Sequence, residues 1–263
     1  MLKKEIKVNL KSFIIWTSII IGIFLFVYLI YPLIINDETM ESMEQVINSM
    51  SKEVVKAFNM DIASINTAYG WVKSEGLMFL MLLMGIYASN LGMNIVLKEE
   101  NDKTIEYLNS LPQKRSTIMK EKIITCIIYI LSMILIVGIF NYIGLSISCE
   151  FDKKQYLLLA ITPIFVTIPL FSLNLFISTF LHKTNKTMSI SLGIVFISYF
   201  LQIASELSSK VEFLKYFSLY TLADTRNIIT EIKLNPLMII ISLAISIILI
   251  SLSFIRYENK ELI

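Results

Sequence analysis

Six runs of this chain contain no Asp, Glu, Lys, Arg or His: Phe13–Ile35, Leu77–Leu97, Ile123–Ile147, Tyr156–Leu181, Met188–Ser205 and Leu237–Ile255. A helix needs about 20 apolar residues to cross a bilayer, so each run predicts a membrane-spanning helix, the fifth being the shortest. Between the runs the pattern changes. In 36–76, Met40, Met43, Ile47, Met50, Val54 and Phe58 recur at three and four residues. That spacing predicts one face of a helix, capped at Asn36 or Asp37. In 206–235, Val211, Leu214, Tyr216, Phe217, Leu219, Tyr220 and Leu222 are interleaved with charges that forbid simple spanning. The segment reads as a hairpin that either lies in the interface or dips in and returns, the latter only where protein or a watery cavity surrounds it. In 98–122, Ile105, Leu108 and Leu111 form the stripe of a short helix beginning at Asn101 or Asp102 and stopped by Pro112, because proline disfavours a helical conformation at the residue before it. Residues 113–122 then lead into the third span, with Arg115 and Lys122 expected at headgroup level. The predicted fold is all-α: one polytopic transmembrane domain over 1–263, with six spans, a short helix in the 98–122 loop and a hairpin at 206–235.

Composition agrees with this reading. The 263 residues are 56% hydrophobic and 17% charged, against about 25% charged in a soluble domain, and the mean hydropathy is +0.71. With the N-terminus inside, the inner segments hold fourteen Lys and Arg against eight acids, and the outer segments nine against thirteen. The positive-inside rule therefore places both termini in the cytosol. A net charge of +2, with no basic patch interleaved with aromatics, leaves no case for nucleic acid. The first run exceeds a secretory h-region of about 7–15 residues and no small-x-small site follows it, so it reads as a retained anchor. Cys126 and Cys149 fall near opposite ends of the third span and are expected to be unpaired thiols.

The missing chemistry narrows the function. Ionisable residues inside spans mark proton relays and ion-coupled transport, and the six runs have none. His182 is the one histidine, which leaves no cluster for a metal site or an intramembrane protease. No G-x-x-x-x-G-K-[ST] loop occurs among the eight glycines. Any uphill transport must draw its energy from another protein. Asn90, Asn94 and Asn174 are polar positions within spans; such residues either hydrogen-bond between helices or line a translocation path. Pro163 and Pro169 interrupt the hydrogen-bond ladder of the fourth span.

The loop Glu99-Glu100-Asn-Asp-Lys103-Thr104-Ile105-Glu106-Tyr-Leu108-Asn-Ser-Leu111-Pro112-Gln-Lys-Arg115-Ser-Thr-Ile118-Met-Lys-Glu-Lys122 resembles that of type-2 permease subunits of ATP-binding-cassette (ABC) transporters. That family's pattern is an acidic residue, Gly-Thr, a Leu-rich short helix, Pro, a basic residue and a Lys entering span three. Lys103 stands where the family has glycine. The six-span layout, the large first outer loop and the hairpin before span six are also similar. The resemblance implies a separate cytosolic ABC ATPase that binds ATP and Mg, this chain holding no cofactor. It implies that Thr104, Ile105, Glu106, Leu108, Leu111, Pro112 and Arg115 belong to a coupling element docking on that ATPase. It also implies pairing with a second copy or a related permease, and an amphipathic connecting helix at Met1–Lys11. A chain rich in Ile, Lys and Asn points to a low-GC bacterium and its plasma membrane. The expected function is export of a drug, antimicrobial peptide or lipid-like molecule. The alternative is a non-transporting membrane sensor or assembly factor that binds a partner through 98–122.

Overall fold

The computed structural model describes residues 2–34, 37–51, 54–55, 67–105, 113–182 and 186–260. Among them there are helices and no strand. The helices are α1 (Leu2–Ile34), α2 (Asp37–Ser49), α3 (Ala68–Trp71), α4 (Leu77–Asn101), α5 (Arg115–Ser148), α6 (Lys153–Ile161), α7 (Ile164–Ser178), α8 (Thr187–Leu207), α9 (Arg226–Glu231) and α10 (Pro236–Glu258). A five-residue π segment, Val72–Gly76, joins α3 to α4, and two 3₁₀ segments, Ser209–Phe217 and Tyr220–Ala223, follow α8. Six helical stretches are long and apolar enough to cross a membrane: Leu2–Tyr31, Ala68–Asn101, Arg115–Ser148, Lys153–Ser178, Thr187–Leu207 and Pro236–Glu258. The chain is thus an all-α polytopic membrane protein. Its helices reach past the uncharged runs, so charged residues ride on their ends. The amphipathic N-terminal stretch is not a separate connecting helix, because α1 runs unbroken from Leu2.

Helix α4 is the best covered of the long helices, and α1 and α10 the least. Small residues explain the close fit of α4. A Cβ on Gly92 would fall 2.5 Å from the backbone oxygen of Phe171, and one on Gly85 would fall 2.5 Å from Tyr220 Oη. Ala88 and Ser89 lie between them, fully buried. Without side chains in the way, α4 packs its backbone against α7, as small-residue faces allow in apolar surroundings.

The two prolines of the fourth span act differently. The helix breaks at Thr162–Pro163, where the Leu159 carbonyl accepts from Thr162 N (3.2 Å) and Thr162 Oγ1 (2.7 Å). Pro169 stays inside α7. It has no N–H to give to the Phe165 carbonyl, and Ser242 Oγ of α10 donates to that oxygen instead, at 3.0 Å. The lost ladder bond becomes a tie between two spans.

Glu5, Lys98, Arg115 and Lys260 meet at one end of the bundle, here called the terminal end because Glu5 and Lys260, each within five residues of an end of the sequence, lie there. The opposite end is held by Gln155, which accepts from Tyr69 Oη (2.7 Å) and donates to the Ile228 and Ile229 carbonyls (3.3 and 3.1 Å). The predicted hairpin turns back into the bundle. Ser218 Oγ donates to the Ser198 carbonyl at 2.6 Å, and Leu219 N to Ser198 Oγ at 2.8 Å. Ser198 is roughly 13 Å in from the Leu207 end of α8 at about 1.5 Å per residue. Tyr220 follows, buried against Gly85 and Tyr199, and burial pushes its phenol pKa well up. The first outer segment is helical over α2, where Ile47 of the predicted face is buried and Met50, just past its end, exposed; Phe58 lies outside the described residues. Cys126 and Cys149 are both free thiols.

Candidate coupling site at the terminal end

The last turn of helix α4, which ends at Asn101, carries Lys98, Glu99 and Glu100. Successive helical residues point about 100° apart, so these three address different neighbours. Lys98 forms an ion pair with Glu5 of α1. Glu99 Oε1 lies 2.5 Å from Lys122 Nζ of α5. Glu100 Oε1 lies 2.7 Å from Lys260 Nζ, just past α10, and its other oxygen is 3.9 Å from His182 Nδ1. Lys122 also lies 3.6 Å from Glu5 Oε1 and donates to the Ile95 carbonyl at 2.7 Å. Lys260 donates to the Leu181 carbonyl beyond α7, at 2.6 Å. Three carboxylates thus meet three ammonium groups. Glu5, Glu99, Glu100, Lys122 and Lys260 are all buried.

Lys122 corrects one expectation. It does not reach the headgroups; it is 0% exposed. An ammonium without water is tolerated only with counter-ions and acceptors, and Glu99, Glu5 and the Ile95 carbonyl supply them. Arg115 is also turned inward. Its Nη1 donates to the Lys260 carbonyl at 2.8 Å and to the Glu258 carbonyl at 3.3 Å. It thereby satisfies carbonyls that the end of α10 leaves open and places positive charge at the negative end of that helix dipole.

The turn out of α4 explains a departure from the family motif. Lys103 has φ +57°, in the left-handed region that favours glycine. Thr104 N donates to the Glu99 carbonyl at 2.9 Å and Lys103 N to the Glu100 carbonyl at 3.4 Å. These are the two bonds of a Schellman C-cap, with Lys103 at the position that glycine usually fills. Lys103→Gly is therefore expected to preserve or raise the thermal midpoint of the purified protein. Lys103→Val should lower it, since a β-branched residue resists this conformation more than the unbranched lysine does. Equal melting of both variants would remove the strain argument.

Beyond this turn, Thr104 is exposed and Ile105 buried. Glu106, Leu108, Leu111 and Pro112 lie outside the described residues. The chain re-enters the described structure at Gln113 and reaches Arg115. Both sides of the loop therefore end on one residue: Glu100 takes the Lys260 ammonium, and Arg115 takes the Lys260 carbonyl. The cluster at the base of the loop ties α1, α4, α5 and α10 together.

The other candidates lie elsewhere. Asn94 Nδ2 donates to Asn90 O (3.0 Å) and Asn90 Oδ1 (2.7 Å), both residues being partly buried on α4. Asn174 is fully buried; its Nδ2 donates to the Leu170 carbonyl at 2.9 Å, and its Oδ1 has no partner among the described residues. Sequence reasoning missed Glu5, Lys98, Glu99, Glu100 and Lys260 as a cluster: it counted them in the charge balance of the inner segments and quoted Glu99 and Glu100 in the loop motif. One signal was available: Glu5 is the only acid before Asp37, in a stretch with four lysines.

A family model described as "ABC-2 family transporter protein" matches residues 1–262. Comparison with curated proteins finds no match, and neither does comparison with solved structures. The match spans nearly the whole six-helix bundle, including the Schellman turn and the loop it opens, and on that evidence the chain belongs to the ABC-2 transporter family.

Proposed function

We propose that this chain is the membrane-spanning permease subunit of an exporter driven by a separate cytosolic ABC ATPase that docks at the terminal end. The observation that carries this reading is the shared base of the 106–112 loop, where Glu100 and Arg115 both engage Lys260. A docked ATPase would bind and hydrolyse ATP with Mg. Its closure would push on the loop, and the buried ion pairs would pass that displacement to α1, α4, α5 and α10 together. Thr104, Ile105, Glu106, Leu108, Leu111, Pro112 and Arg115 are the proposed coupling residues. Asn90 and Asn94, partly exposed on α4, are proposed to face the path, and Asn174 to join it only when the helices part. The exposed apolar surface of α1 and α10 supports pairing with a second copy or a related permease as well as contact with lipid. The charge balance between segments supports cytosolic termini, with the bacterial plasma membrane as the site. The cargo class proposed is a drug, an antimicrobial peptide or a lipid-like molecule.

The test uses inside-out vesicles holding the chain with its cognate ATPase. A panel of drug, peptide and lipid-like probes should include at least one that accumulates only with ATP, and the chain alone should hydrolyse none. Leu108→Asp should insert normally yet weaken ATPase binding more than about tenfold. It removes roughly 1.5–3 kcal/mol of apolar burial and adds an unpaired carboxylate. Glu106→Gln, on the opposite face of the helix the sequence predicts there, should matter less. Transport by Leu108→Asp at the parental rate would show that the loop is not the coupling element. An ATPase that binds while no probe moves would instead favour a sensor or assembly factor.

A further inference from the structure

Helix α1 is 33 residues long, roughly 50 Å at about 1.5 Å per residue, whereas the hydrocarbon core of a bilayer is about 30 Å thick. Its uncharged part begins at Phe13, so the surplus is the lysine-bearing start. With about 100° between successive residues, Lys3, Lys4, Lys7 and Lys11 fall in one sector roughly 100° wide, and all four are exposed. Glu5, the one acid of the stretch, lies about 160° round the helix from Lys7. It is buried, paired with Lys98 and 3.6 Å from Lys122. Folding therefore takes the negative charge to the inner side of α1 and leaves the outer side with positive charge alone. Lys4 has an interaction of its own. Among the described residues no carboxylate pairs with Lys3, Lys7 or Lys11.

We infer that this face binds the anionic headgroups of phospholipids in the leaflet at the terminal end. The stripe is unfavourable left to itself. Lys3 with Lys7, and Lys7 with Lys11, are like charges four residues apart, and Lys3 stands in the first turn of α1, at the positive end of the helix dipole. An anion relieves both. The face also continues directly into apolar surface. Ile14 and Ile15 follow Lys11 at 53% and 48% exposed, and Val8 and Leu10 flank the lysines at 55% and 42%. An acidic soluble partner would have to match those side chains with apolar groups of its own, whereas headgroups above acyl chains present both kinds of surface in the right order. The depth fits as well. Lys11 and Lys7 are roughly 3 and 9 Å back from Phe13 along the axis, against an interfacial layer of about 5–8 Å per leaflet, and lysine stems lie along apolar surface while their heads stay polar. Lys3 stands beyond the layer by about one Debye length, roughly 8 Å at physiological ionic strength. The positive-inside rule asks for basic residues on one side of the membrane; it does not ask for them on one face of a helix. The inference does not rest on the exporter reading.

The purified chain, without ATPase, is placed in phosphatidylcholine nanodiscs holding a trace of phosphatidylglycerol with a diazirine near the top of one acyl chain, or of its phosphatidylcholine counterpart. Peptide mass spectrometry reads the label on Leu10–Ile15. The phosphatidylglycerol probe should label this stretch at least about fivefold more, the factor that one lysine near a charged surface supplies. Lys3→Gln, Lys7→Gln and Lys11→Gln together should bring the two probes within about twofold, whereas Lys3→Arg, Lys7→Arg and Lys11→Arg together should keep the preference. Lys114→Gln with Lys120→Gln removes two exposed lysines of the same end that lie off the stripe, and should leave the preference unchanged. The parent should also melt higher in phosphatidylglycerol than in phosphatidylcholine, a difference that the triple Gln variant loses. Inorganic phosphate should compete no better than sodium chloride of equal ionic strength. If the triple Gln variant does not fold, the parent's probe ratio and its fall with salt decide. Equal labelling by both probes in the parent, a preference that survives the triple Gln variant, an equal drop in the Lys114 and Lys120 control, or specific competition by phosphate would each overturn the inference. Equal labelling, with a triple Gln variant that no longer captures the ATPase or a second copy, would assign the face to that protein and overturn it too. A chain that shows the lipid preference yet moves no cargo with ATP would keep this inference and remove the exporter reading.

Discussion

Lys122→Met is expected to cost about 3–5 kcal/mol of folding stability, the usual penalty for removing one partner of a buried ion pair. Methionine fits the space of the lysine stem, so the loss is not a packing defect. It comes from Glu99, which loses the ammonium 2.5 Å away and keeps Lys98 at 4.0 Å, and from Glu5, which among the described residues keeps that same Lys98. Three buried or part-buried carboxylates would then face two ammonium groups. Lys122→Met with Glu99→Gln restores the balance and should recover at least half of the loss, because a neutral amide costs far less to bury than an unpaired carboxylate. Thermal unfolding in detergent, with trypsin resistance as a second measure, reads both. A single variant as stable as the parent would mean that the cluster does not hold the terminal end together. A double variant that folds well yet loses ATPase-driven transport would separate coupling from stability.

Gly92→Leu should destabilise the bundle by about 3 kcal/mol, the upper part of the range for overpacking a filled interior. Even the first carbon of the new side chain would fall 2.5 Å from the Phe171 backbone oxygen and 3.2 Å from Leu175 N. A backbone cannot swing aside as a flexible side chain can, so α4 and α7 must separate. Gly193, whose Cβ would meet nothing within 4 Å, is the control: Gly193→Leu should leave the thermal midpoint near the parent's. If the two variants melt alike, the close α4–α7 contact is not what the small residues serve.

Much of the architecture was legible in the chain. Uncharged runs of about 20 residues have few options in lipid, where every backbone polar group must be satisfied within the segment. The six spans, the all-α class and the interrupted fourth span follow from that constraint. The break at Pro163 and the hairpin at 206–235 also follow from local chemistry, a missing N–H in one case and charge interleaved with aromatics in the other. The charged 98–122 loop and its resemblance to type-2 permeases pointed to the family.

Other features depended on which helices meet. Ser242 on α10 reads as one more small residue in an apolar span; only its approach to the Phe165 carbonyl makes it the replacement for the proline's missing donor. In the sequence Lys98, Glu99, Glu100 and Lys260 count toward the charge of the inner segments, and Lys122 reads as a headgroup-level lysine. They become a buried network because α1, α5 and α10 close over the end of α4. The lysines before Phe13 read as inner-segment charge; they become an acid-free face because Glu5 turns to the far side of α1. Spans can be read from sequence because the bilayer sets their length and polarity locally. The partners of each charge, and the space between helices, depend on contacts between residues far apart in the chain, and only the tertiary structure decided them.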